Sequence, residues 1–130
     1  RTHRRASPSP ELWTELTSAI RSGDLAATVR LLAPDAVLVS DGGGRASAAR
    51  RPVRGAESVA RFLIGVAAKT PQFDVAPAWI NGELAAVVSS SENVEFVVFL
   101  VASEDGVQQV LIVRNPDKLM RINKPVRLSR

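Results

Sequence analysis

The chain has no cysteine, no tyrosine, one histidine and, in 130 residues, only two tryptophans and four phenylalanines. Without cysteine there is no disulfide, no thiol nucleophile and no thiolate metal site, and a reducing compartment is the better fit. The histidine, His3, lies in a basic Ser/Pro stretch at the start, where it reads as a solvated side chain rather than a base or a ligand. So few aromatics leave few platforms on which single-stranded nucleic acid could stack. No apolar run approaches the roughly 18 residues that cross a bilayer. No apolar signal segment opens the chain either, so the cytoplasm is the expected location. The chain begins with Arg1 and not Met, as a fragment of a longer protein would.

The net charge of +4 hides an uneven distribution. Residues 10–120 hold ten Lys/Arg against thirteen Asp/Glu, and the other seven basic residues lie in the two tails. A nucleic-acid binder carries its positive charge on the folded face that meets phosphate. Here the folded body is mildly acidic except around one loop. The expected organisation is a basic Ser/Pro linker at residues 1–9, one domain at 10–120 and a basic tail at 121–130. One domain of this size can bury a single core.

That exceptional loop organises the chain. The apolar run Ala36, Val37, Leu38, Val39 ends in Ser40 and Asp41. Then come Gly42, Gly43 and Gly44, followed by an arginine-rich return with Arg45, Arg50, Arg51 and Arg54. Three successive glycines free the backbone for positive φ and for close approach to another surface, at a cost in chain entropy. A passive hairpin needs only two residues. The loop therefore reads either as a contact site or as a long flexible tip with solvated arginines. Pro52 in the return cannot donate to a ladder, which restricts that segment to a sheet edge.

Elsewhere the signals are local. Ser9 and Pro10 open a helix with Leu12, Trp13, Leu16, Ala19 and Ile20 on one stripe, and Gly23 closes it. Asp24 caps a second helix, with Leu25, Val29 and Leu32 as its buried face and Pro34 as its end. Residues 55–68 form the clearest helix, with Val59, Phe62, Leu63, Val66 and Ala67 at helical spacing. Four strands follow at 73–80, 84–89, 94–102 and 107–114, turning at Asn81-Gly82, 90–93 and 104–106. They predict an antiparallel meander. The third strand is apolar on both faces, with Phe96, Val98 and Leu100 on one and Val97, Phe99 and Val101 on the other. It must be covered on both sides.

This order resembles the cone-shaped α+β fold of nuclear transport factor 2, ketosteroid isomerases and SnoaL-like polyketide cyclases. In that fold a curved antiparallel sheet is covered on one face by three helices. Ser22-Gly23-Asp24-Leu25, the 31–37 stretch, the Asp41 to Arg45 loop, Arg50 to Gly55, and Asn115-Pro116-Asp117-Lys118-Leu119 resemble one branch in particular. It is the SnoaL-like C-terminal domain of actinobacterial extracytoplasmic-function sigma factors. That family carries Asp-Gly-Gly-Gly-Lys and Asn-Pro-Asp-Lys-Leu motifs, and Arg45 here stands where lysine is usual, so a forked donor replaces a point charge. The resemblance implies a regulatory module and no cofactor. It would modulate transcription initiation through the sigma regions of its own chain, and through them RNA polymerase. DNA would be met only by those other regions. The implied partner contacts are Asp41, Gly42, Gly43, Gly44, Arg45, Arg51, Arg54, Asn115, Pro116, Asp117, Lys118 and Leu119. A homodimer through the sheet is a further expectation drawn from relatives.

The other reading is a stand-alone cyclase, isomerase or small-ligand sensor. Enzymes of this fold use a pocket carboxylate as base, often with His or Tyr partners. The candidate carboxylates are Asp35, Asp41, Asp74 and Glu95. Asp35 and Asp41 sit where turns ordinarily place aspartate, while Glu95 interrupts an apolar strand on the Val97 face. Phe73, Trp79, Glu95 and Phe96 are the candidates to line a pocket, and the aromatics serve equally well as core. With no tyrosine and no histidine in the body, a catalytic site is not expected, nor is a metal site.

Overall fold

The computed structural model describes residues 8–41, 52–69, 72–80, 82–90 and 93–114. In order these form helices α1 (Pro10–Ser22) and α2 (Leu25–Leu31), strands β1 (Leu32–Asp41) and β2 (Val53–Arg54), and helix α3 (Ala56–Lys69). Strands β3 (Asp74–Ile80), β4 (Glu83–Ser90), β5 (Asn93–Ser103) and β6 (Gly106–Val113) follow. The strands pair in the order β2-β1-β6-β5-β4-β3. This is the expected α+β architecture, with β2 at one edge as Pro52 requires.

The chain divides into two compact units, which cut across three of the strands. The first holds residues 1–38, 52–71 and 100–110. Its helices start and stop where the sequence signals them. The Ser9 side chain accepts from the Leu12 N–H at 3.1 Å, and Gly23 closes α1 at φ 73°. The Asp24 carboxylate accepts from the Ala27 N–H at 3.1 Å, satisfying a donor that the first turn of α2 leaves open. The three helices touch one another, and α3 packs on β2.

Three expectations for this unit need correction. The second helix does not run to Pro34. It ends at Leu31, Leu32 is already extended at φ −97° and ψ 148°, and β1 continues through Pro34. Proline disfavours helical geometry in the residue before it, so the break falls ahead of Ala33. The buried side of α2 also centres on Thr28, fully buried with its hydroxyl donating 2.8 Å to the Asp24 carbonyl, while Leu25 and Val29 are only half-buried. In α3 the buried stripe is Ala56, Val59 and Ala60, and Phe62 is 38% exposed. Small alanines let the helix come close on that side, which turns the larger Phe62 outward.

Gly106 fixes the turn into β6. Its φ is 119°, and a Cβ there would lie 2.7 Å from the Leu31 carbonyl oxygen and 3.2 Å from the Ala33 nitrogen. Only glycine allows that approach. Two residues on, the Gln108 amide donates to the Asp35 carboxylate at 2.9 Å. Neighbours thus advance together along both strands, so β6 runs parallel to β1. Strands β3, β4 and β5 pair antiparallel in turn, and the added parallel pair makes the sheet mixed.

The second unit holds residues 39–51, 72–99 and 111–130. Its core is Ile80, Ala85, Val97 and Val113, with Val87, Val94, Phe99 and Leu111 packed against them. Val87 pairs with Val97, Val88 with Phe96, and Ser89 with Val94. Glu95 is therefore the extra residue of a β-bulge. Simple alternation would put Val94 on the Phe96 face; the bulge carries it across to the core.

Candidate functional site

Both arms of the glycine loop are anchored in the sheet. On the outgoing arm, Ala36 and Leu38 are buried and β1 ends at Asp41. On the return, Val53 pairs with Leu38 and Arg54 with Val37, and the Gly55 N–H donates to the Ala36 carbonyl at 2.8 Å. Arg54 is exposed beside this ladder. The loop itself, with Gly42, Gly43, Gly44, Arg45 and Arg51, lies outside the described residues, as does the Asp41 side chain. Asn115, Pro116, Asp117, Lys118 and Leu119 also lie outside them, directly after the exposed Arg114. What the fold supplies is direction: β1 and β6 are neighbours running the same way, so the two strands that precede these motifs finish at the same end of the sheet.

The pocket candidates are brought together only in part. The Phe73 and Phe96 rings meet edge-on, with centroids 6.1 Å apart and planes at 60°. The Arg114 guanidinium lies 5.7 Å from the Phe96 centroid, a cation over a ring face. Arg114 was not among the residues expected here; the signal is a basic residue placed directly after an apolar strand. Trp79 stands apart, six residues beyond Phe73 or about 20 Å along the strand, and is 64% exposed. Glu95 is half-buried at the bulge and accepts a 2.7 Å hydrogen bond from the Ser90 hydroxyl.

The remaining carboxylates have structural surroundings. Asp35 is exposed and takes the Gln108 amide, and Gln108 in turn accepts from the Ser103 hydroxyl at 3.2 Å. The Ser103 oxygen also accepts from the Asp105 N–H at 3.2 Å, so this chain of polar groups ties down the β5–β6 turn. Asp74 is exposed at the start of β3. Among the described residues no three His, Cys, Asp or Glu gather in a group that could hold a metal ion. None of their helices is long and apolar enough to cross a membrane.

No protein-family model matches the chain. A relative does: the extracytoplasmic-function RNA polymerase sigma factor SigJ of Mycobacterium tuberculosis, 33% identical over 118 residues, covering 83% of this chain. The crystal structure of SigJ superposes with a TM-score of 0.66 at 28% identity over 86% of this chain. This chain is a SnoaL-like domain homologous to part of a SigJ-type sigma factor. It spans 38% of that relative's length and 45% of the solved SigJ chain. The fold is shared more widely. A bacterial protein of cystatin-like fold from Silicibacter pomeroyi matches with a TM-score of 0.57 at 20% identity, over 92% of this chain and 84% of its own. A Sinorhizobium meliloti protein assigned as a polyketide cyclase matches at 0.56 and 17% identity, over 80% and 94%. These two speak for the SnoaL-like, nuclear transport factor 2-like fold alone.

Proposed function

We propose that this domain is the C-terminal regulatory part of an extracytoplasmic-function sigma factor, acting in the cytoplasm on the sigma regions of its own chain. The observation that carries this reading is the 33% identity to SigJ across 83% of the chain. The glycine loop from Asp41 to Arg45, exposed Arg54 beside it, and the Asn115 to Leu119 segment form one contact surface. The parallel β1–β6 pair supports this grouping, because the strands that precede the two motifs then finish at the same end of the sheet. In this surface the glycines let the backbone lie against the partner, and Asp41, Arg45 and Lys118 supply paired charges.

The role is binding rather than turnover. A base of this fold would need a proton partner beside its carboxylate, and the chain has no tyrosine, with its one histidine outside the described residues. The decisive comparison is promoter-dependent transcription by RNA polymerase with the intact sigma factor, with a version ending before this domain, and with Asp41→Ala or Lys118→Ala. Altered output is expected from all three. If deletion and both substitutions leave transcription as it was, the regulatory reading fails. Turnover of hydrophobic ketones or polyketides by the isolated domain would instead favour an enzyme.

A further inference from the structure

Among the described strands β3 ends the sheet, and Asp74, Val75, Ala76, Pro77 and Trp79 along it are all exposed. Its registers with β4 place Val75 beside Val88, Pro77 beside Ala86 and Trp79 beside Leu84. Those three β4 partners are 4–7% exposed, whereas Val75 is 37% and Trp79 64% exposed. Burial thus collapses within one strand spacing, along an apolar row that includes a tryptophan. The other side of the strand is different. Asp74, Ala76, Ala78 and Ile80 share it by alternation, and Glu83 joins them as the register partner of Ile80. That side carries a carboxylate near each end and small alanines between.

Pro77 decides which backbone groups face outward. A proline in an edge strand turns its nitrogen, which has no hydrogen to donate, away from the ladder. Hydrogen-bonding direction alternates along an antiparallel strand. Val75 and Trp79, two residues either way, therefore aim their N–H and C=O groups at the open edge. The residues of the apolar row are thus also those with unpaired backbone groups, which is what an added strand needs.

Charge indicates the occupant. Between Lys69 and Arg114 the acids are Asp74, Glu83, Glu92, Glu95, Glu104 and Asp105, and there is no Lys, Arg or His. Strands β3 to β6 all lie in this stretch and carry charge of one sign. A second copy would bring the same charge to the edge, whereas a cationic segment is drawn to it.

We propose that the β3 edge binds an extended segment of a partner protein in which apolar residues alternate with lysine or arginine. The segment adds a strand to the sheet. Its backbone pairs with Val75 and Trp79, and its apolar side chains lie over Val75, Pro77 and Trp79. Its cationic side chains run along Ala76 and Ala78, where small residues leave room for their stems, toward Asp74 and Glu83. The sigma-region surface uses none of these residues, so either site can fail alone.

The test is a titration of the isotope-labelled 130-residue chain with a synthetic peptide of alternating valine and lysine, followed by amide shifts in nuclear magnetic resonance. Peptides of alternating valine and glutamate, and of alternating serine and lysine, are the controls. The valine–lysine peptide is expected to shift the β3 amides and to slow exchange at Val75 and Trp79 by about tenfold. It is expected to bind about tenfold or more tighter than either control. Trp79→Ser should weaken it about tenfold, and Asp74→Lys about threefold, an effect that disappears in roughly 1 M salt. Both positions are exposed, so neither substitution should unfold the chain. Absence of shifts at β3, equal binding of either control peptide, or indifference to Trp79→Ser overturns the proposal. So does protection of Val75 and Trp79 without any peptide. If that protection grows with protein concentration, a second copy is the occupant; if it does not, the chain covers its own edge.

Discussion

The three helices and strand β3 all carry apolar residues but differ in what surrounds them. In the helices the Ser9 and Asp24 side chains cap the starts of α1 and α2, and the inward positions Thr28, Val59 and Ala60 have no exposure. In β3, Ile80 is buried and Ala78 half-buried, while Val75 and Trp79 stand open. A helix satisfies its backbone internally, so a single buried stripe secures it. An edge strand has one unpaired side and depends on whatever covers it. The contrast separates the part of this domain that is closed on itself from the part left open.

The largest expected effect probes the closed part. Gly106→Ala combines positive φ with a Cβ 2.7 Å from the Leu31 carbonyl oxygen, and should cost about 3 kcal/mol. Gly82→Ala, in the β3–β4 turn at φ 84° with nothing within 4 Å, carries conformational strain only and should cost about 1 kcal/mol. Equal losses in chemical denaturation would show that the approach of β6 to the α2–β1 junction is unimportant. Next, Val97→Ala at a fully buried core position should cost about 2 kcal/mol, and Val75→Ala on β3 about 0.5 kcal/mol or less. Comparable midpoint shifts for the two would erase the distinction between core and edge. Asp24→Ala removes the cap of α2 and should cost about 1 kcal/mol, with Asn restoring most of it. The smallest effect belongs to the exposed Glu57–Arg61 pair on α3, 2.8 Å apart with both side chains 64% exposed. Glu57→Gln should cost about 0.3 kcal/mol at low salt, and nothing measurable in 1 M NaCl if the term is Coulombic.

Particular residues show how far the sequence could be read. Ser9, Gly23 and Asp24 announced the ends of α1 and α2, because a cap is a bond between residues three or four apart. The meander was legible from its alternation and its turn glycines. Glu95 misled, since its parity says nothing about a bulge whose existence depends on the register with β4. Phe62 misled because helical spacing marks an apolar side about 100° wide, and only the packing of Ala56 and Ala60 selects the part of it that is buried. Arg114 over Phe96 and Gln108 on Asp35 join residues 18 and 73 positions apart, which no local pattern reports. The glycine loop was visible as three glycines among arginines, and the fold contributes its anchors at Ala36, Leu38 and Val53.

By itself the sequence determined the elements, their order, the acidic body with basic tails, and the absence of thiol or histidine chemistry from the folded part. These are properties of composition and of neighbours within a turn or a strand. Only the tertiary structure decided that β1 lies parallel beside β6, that Glu95 shifts the register of β5, and that Trp79 remains exposed at an edge. Each depends on which distant segments pair and in what register, and many pairings satisfy the same local pattern until the core chooses among them.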